Sequence, residues 1–205
     1  MAFCRYLFIT TALLLFSCKQ HLVEVQDDNG NVIESYQVND KEQKHGQFSG
    51  FDENGKLIET ANYVNGKLEG ERQLFKSTGE LEIAETYKND ITEGLYRVYF
   101  SNGQVSFETE YTNGTLNGIG KSYYETGVLK EEVTFVNNEE NGPFREYYSN
   151  GNMEWEGTYL NGDNEFGLLK NYDESGELVK KMQCDSLAIC RTIWTKADGD
   201  ITPIN

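Results

Sequence analysis

From Val32 onward the chain alternates apolar and polar residues in short blocks, the period-two signature of strands that turn one face to a core. Counted from a series of spaced glycines, the even positions read Val32-Glu34-Tyr36-Val38, Leu57-Glu59-Ala61-Tyr63, Val105-Phe107-Thr109-Tyr111 and Leu129-Glu131-Val133-Phe135. A second strand follows each block, and its fifth residue after a further glycine is always aromatic: Phe51, Phe75, Tyr99, Tyr123, Tyr147 and Tyr172. Between the two strands stand Asn65-Gly66, Asn89-Asp90, Asn113-Gly114, Asn137-Asn138 and Asn161-Gly162. Asn and Gly tolerate the positive φ that a tight hairpin turn requires, so each block and its successor predict a β-hairpin.

The hairpins recur. Glycines at 30, 55, 79, 103, 127, 151 and 176 are separated by 25, 24, 24, 24, 24 and 25 residues. A second series at 46, 70, 94, 118, 142 and 167 lies nine residues before the next member of the first, so only the other segment of the repeat varies in length. In the long copy 151–175 the extra residue falls among Asp163 to Phe166, where a loop tolerates it. One such hairpin cannot bury a face alone, and copies must stack edge to edge. The expected fold is all-β: an elongated antiparallel sheet of stacked hairpins of about 24 residues, about 13 strands in total. The expected organisation is a signal at 1–17, an anchor and short linker at 18–21, a repeat array at 22–183 and a cap and tail at 184–205.

The first residues, MAFCRYLFITTALLLFSCKQ, do not belong to this pattern. One base, Arg5, precedes an apolar run from Tyr6 to Phe16. The run is shorter than the roughly 20 residues of a spanning helix, which reads as a secretory signal. Its end, Leu15-Phe16-Ser17-Cys18, resembles the lipobox of bacterial lipoproteins, in which the cysteine carries the lipid. The resemblance implies a lipid on Cys18 and a membrane-anchored place in a bacterial envelope, periplasmic or surface-facing; the other reading is a plain signal with an incidental cysteine. Loss of 1–17 removes only Arg5 from the 18 bases, against 34 acids. So acidic a chain would be repelled by nucleic acid, which is excluded as a partner.

Chemistry is sparse. His21 and His45 are the only histidines, far along a linear array from Cys184 and Cys190, so no nucleophile-and-base arrangement, cofactor or enzyme activity is expected. The strings DDNGN, DENGK and DESGE suggest calcium loops, but none has an acid at the first or last ligand position, and no metal is expected. Cys184 and Cys190 flank the place where a seventh hairpin would turn. In an oxidising compartment they read as a disulfide, with free thiols or a metal site as alternatives. One further pattern stands out: Arg97, Lys121, Arg145 and Lys170 lie two places before Tyr99, Tyr123, Tyr147 and Tyr172, so both columns share a face. This basic, aromatic stripe is a candidate binding face for an acidic protein or a carbohydrate. The reading preferred from sequence is cross-strand pairing with acids such as Glu59, Glu85 and Glu131, with ordinary stacking along the sheet.

The strings YVNGKLEGE, YTNGTLNGIG and YLNGDNEFG resemble the MORN repeat, and most closely its bacterial variant form, part of which is known as the YwqK-type antitoxin family. The resemblance covers residues 22–183. Gly118-Ile-Gly120 alone keeps the Gly-x-Gly of the eukaryotic motif, and Tyr or Phe mostly replaces its Trp, which points to the variant form. It implies a non-catalytic protein-binding or scaffolding surface, with an antitoxin or immunity-like protein as the alternative.

Overall fold

The computed structural model describes residues 21–201. Its first half contains β1 (His21–Gln26), β2 (Val32–Val38), β3 (Lys44–Phe51), β4 (Leu57–Val64), β5 (Lys67–Leu68), β6 (Gly70–Phe75), β7 (Leu81–Lys88), β8 (Ile91–Tyr99) and β9 (Val105–Thr112). The second half contains β10 (Thr115–Leu116), β11 (Gly118–Tyr123), β12 (Leu129–Val136), β13 (Glu139–Tyr147), β14 (Met153–Tyr159), β15 (Glu165–Tyr172), β16 (Leu178–Cys184), β17 (Cys190–Thr195) and β18 (Gly199–Asp200). All belong to one open antiparallel sheet of 18 strands built from pairings between strands adjacent, or next but one, in sequence. The count exceeds the expected 13 partly because β5 and β10 are first pieces of strands that resume as β6 and β11: β4 pairs with both β5 and β6, and β9 with both β10 and β11.

The turns explain the period. Asn65 and Gly66 sit at φ 52° and 84°, and Asn113 and Gly114 at φ 50° and 74°. This is the doubly positive conformation of a two-residue hairpin turn. Each turn is also bonded to the start of the strand that follows the preceding turn, since the Gly66 N–H donates to the Lys44 carbonyl at 2.8 Å and the Gly114 N–H to the Thr92 carbonyl at 2.9 Å. The two long copies widen the turn into the loops 39–43 and 160–164, closed by Asn39 N–H to Gln43 O at 3.0 Å and Leu160 N–H to Asn164 O at 2.8 Å, the second still holding Asn161 and Gly162 at φ 56° and 92°. The second loop contains Asp163 and Asn164, within the span where the sequence places the extra residue.

A single sheet has only its own side chains with which to build a core. The buried residues Phe48, Ala61, Thr109, Val133, Phe144 and Leu169 stand at even positions and define the inner face. Their cross-strand partners alternate large with small: Phe48 faces Ala61, Tyr96 faces Thr109, and Phe144 faces Gly157. Gly157 is required by this packing, because a Cβ there would lie 2.7 Å from the Phe144 ring and 3.0 Å from Leu169. The space is taken by the Phe144 and Tyr159 rings, stacked with centroids 4.1 Å apart. Val133, Phe144, Leu169 and Cys184 form one buried cluster towards the C-terminal end, where Leu169 is 0 % exposed. Complete burial of side chains such as Phe144 and Leu169 stabilises the fold by about 1.5–3 kcal/mol each.

In the first half of the array, at β4, β6 and β7, the apolar row of the inner face is interrupted. Arg72 donates from Nε to Glu59 at 2.7 Å and from Nη1 to Glu85 at 2.8 Å, and the Tyr87 hydroxyl donates to Glu85 at 3.0 Å. The hydrogen bond to Glu59, opposed by partial burial and reinforced by Glu85, holds the guanidinium above its ordinary range. Glu59 and Glu85, expected beneath the basic stripe, therefore serve Arg72 on the opposite face.

Candidate functional site: the outer face of the last four repeats

On the outer face the first residue after the second glycine is Gln47 and Glu71 in the first two copies, then Leu95, Ile119, Pro143 and Leu168. All six are exposed; Leu95, Ile119 and Leu168 retain 38 %, 58 % and 44 % of their surface. The third residue changes at the same copy, from Ser49 and Gln73 to Arg97, Lys121, Arg145 and Lys170. Spacing of two residues along a strand puts both columns on one face, and Leu95, Arg97, Glu108, Glu110, Ile119 and Lys121 line one groove there. In the first two copies the same face is a shallow hollow without a base, lined by Gln47, Ser49, Thr60, Asn62 and Gln73 with the acid Glu71.

The bases meet a column of acids that sequence reasoning passed over. Arg97 Nε lies 3.2 Å from Glu108, and Lys170 Nζ lies 2.7 Å from Glu156. Lys121 and Arg145 share Glu132, each at 3.7 Å. The tyrosine column completes the ladder: the Tyr123 hydroxyl donates to Glu108 at 2.7 Å and the Tyr172 hydroxyl to Glu156 at 2.8 Å. The Tyr123 hydrogen bond, aided by Arg97, holds the Glu108 carboxyl below its ordinary range, whereas burial followed by the same Glu108 bond pushes Tyr123 up to about 12. The hydrogen bond from Lys170, then that from Tyr172, depresses Glu156.

The acids named from sequence need correction. Register pairs Arg97 with Glu108 and Lys121 with Glu132, the fifth positions after the first glycine, whereas Glu59, Glu85 and Glu131 occupy even positions on the inner face. Glu131 lies directly opposite another acid, Glu146. Burial and then Glu131 raise the Glu146 carboxyl above its ordinary range.

His45 braces a turn: its Nδ1 accepts the Asn65 N–H at 3.3 Å. Glu69, Glu93 and Asn117 do the same for Asn89, Asn113 and Asn137 at 2.9, 2.6 and 2.9 Å. The sequence signal, an acceptor side chain just before the second glycine, was available but unused. Cys184 and Cys190 are direct partners across β16 and β17 and are joined as a disulfide. Glu165 comes within 3.2 Å of the Cys190 sulfur. Two sulfurs bonded to each other, however, offer no thiolate for a metal. Cys18 lies outside the described residues, and among those described no helix is long and apolar enough to cross a membrane.

The arrangement offers an extended face with a repeated side-chain pattern. Four segments of the chain, residues 44–65, 92–113, 116–137 and 140–161, match the family described as MORN repeat variant. No curated protein matches the chain. The four segments correspond to the strand pairs β3–β4, β8–β9, β11–β12 and β13–β14, all cut at the same phase. The intervening pair β6–β7 repeats their geometry although it carries Arg72 and the Asn89-Asp90 turn. Four segments of the chain are thus similar to the MORN repeat variant, and the same hairpin geometry continues beyond them.

Proposed function

We propose that this protein is a non-catalytic binding or scaffolding array, held at a bacterial cell envelope by a lipid on Cys18, that engages a protein partner through the outer face of its last four repeats. The observation that carries this reading is the joint change of two columns. From the third copy onward an exposed apolar residue and a base replace two polar ones in every repeat. Exposed apolar side chains scattered singly need no explanation, but a regular row beside a charged row is the composition of an interaction surface. MORN repeats are binding modules in general, which agrees with this use. The signal-like start and Cys18 support the envelope location.

The test is affinity capture from detergent-extracted envelopes with the full chain and with a Leu95→Glu/Ile119→Glu variant. The expected result is a partner retained by the former and lost by the latter, with equal melting temperatures. Equal capture by both would remove the outer face from the account. A toxin as the captured protein would turn the reading towards an antitoxin or immunity-like role. Labelling with a fatty-acid analogue, expected for the unchanged chain and abolished by Cys18→Ser, tests the anchor; an unlabelled wild type would contradict it.

A further inference from the structure

The rows on the outer face have a spacing, and spacing selects a ligand. Adjacent strands lie about 4.8 Å apart, so equivalent residues of successive repeats, two strands apart, recur about every 9.6 Å across the sheet. Leu95, Ile119, Pro143 and Leu168 form such a row, and Arg97, Lys121, Arg145 and Lys170 form a parallel one two residues along each strand. A polypeptide lying along these rows must place equivalent side chains at the same interval. A polyproline II segment repeats every three residues, about 9.3 Å, and drifts out of step by only about 0.9 Å over three repeats. An α-helix presenting every seventh residue advances about 10.5 Å and drifts about 2.7 Å over the same length. A β-strand shows the same face every two residues, about 6.6 Å, and matches no repeat. Polyproline II also has no internal hydrogen bonds, so such a segment can follow the twist of the sheet.

Charge narrows the choice. In a chain of net charge −16, the paired rows crossing this face from Lys121 onward carry Lys121, Arg145, Lys170 and Lys181 against Glu132 and Glu156. Lys121 and Arg145 share Glu132 at 3.7 Å apiece, so two cations stand over one carboxylate between the exposed Ile119 and Pro143. A ligand carboxylate completes that pairing at Lys121 and Arg145, where a basic ligand meets surplus base; the acid Glu110 lies at the Leu95 end of the strip.

The geometry points to a docking strip for an extended, acidic, proline-rich segment of a partner protein in the polyproline II conformation. Its apolar side chains, every third residue, pack between Leu95, Ile119, Pro143 and Leu168, and its carboxylates meet Lys121 and Arg145. About ten residues cover the strip. This rests on the outer face being the binding face and adds the chemistry of what it binds.

The test uses a fluorescent peptide of about twelve residues repeating Pro-Leu-Glu, long enough to span the strip, against the full chain. Controls are a peptide of the same composition shuffled to remove the three-residue period, and a helix-forming peptide with leucine every seventh residue. The expected result is saturable binding of the periodic peptide, weakened about tenfold or more by shuffling and similarly by Ile119→Glu. Lys121→Gln/Arg145→Gln should weaken it less and reduce its salt dependence. No saturable binding of the periodic peptide, equal binding of the shuffled one, or preference for the helical one would overturn the inference. If envelope capture still depended on Leu95 and Ile119 in that event, the binding-face reading would survive and only the ligand class would fall.

Discussion

At the scale of single residues, the fold depends on side chains that are absent as much as on those present. Gly157→Ala would push a Cβ into the Phe144 ring. Overpacking of this kind should lower stability by about 1–3 kcal/mol, read as a fall in melting temperature with no change in strand content. An unchanged melting temperature would show that the inner row does not pack as described. The carboxylates give a second expectation. Glu146 has a folded pKa raised above its ordinary 4.5 by burial and by Glu131, so its stabilising contribution is fully present below 4.5 and is lost as pH rises through the folded value. Glu108 and Glu156 are depressed below 4.5, and their contribution is present above 4.5 and lost as pH falls through their folded values. Stability should therefore rise modestly on acidification from neutral pH towards 4.5 and decline below it. In Glu146→Gln the rise should flatten in a pH series of denaturant melts, and a rise that persists unchanged would assign it elsewhere. Much at this scale was legible in sequence. The Asn-Gly turns and the glycine columns were readable because positive φ restricts residue choice. The bracing role of His45, Glu69, Glu93 and Asn117 was missed because each bonds the turn of the following repeat rather than a group within its own.

At the scale of strands and hairpins, period-two alternation located both faces, but it could not set the register between strands. Which acid meets which base is fixed by the hairpin turns and by the bulges that open at each aromatic column, such as the one between Val98 and Tyr99. Counting along one strand therefore put the basic column correctly on one face and chose its partners from the other. The pairs that do form are partly exposed, so each is worth roughly 0.2–1 kcal/mol after solvent screening. Changing Arg97, Lys121, Arg145 and Lys170 together to Gln should lower stability by about 1–3 kcal/mol, and added salt should narrow the gap from the unchanged chain. A loss well beyond that would mean the ladder holds the sheet together rather than decorating it. The terminal hairpin gives a separate test, because Cys184 and Cys190 close a short loop. Such a closure should contribute about 2 kcal/mol by restricting the unfolded chain. Cys184→Ala/Cys190→Ala should therefore melt earlier, chiefly through loss of protection in β16 and β17 in hydrogen exchange. Uniform loss of protection along the chain would show instead that the array unfolds as one unit.

At the scale of the whole molecule, each hairpin touches only its neighbours, so the sheet is quasi-one-dimensional and leaves a whole face free of any core. The inner face gathers the apolar row and the Arg72 triad, and the outer face is left to polar residues in the first repeats and to the apolar and basic rows in the last four. That division was only partly legible in sequence, because exposure of Leu95 or Ile119 depends on nothing packing above the sheet, which no local pattern specifies. The central claim is that partners meet the outer face. The most direct measurement places a photoreactive amino acid at Ile119 on the outer face and, in a separate protein, at Ile83 on the inner face, with irradiation in intact cells and mass spectrometry of the adducts. A partner protein should be crosslinked from Ile119, with little or none from Ile83. Adducts from Ile83 with none from Ile119 would contradict the claim.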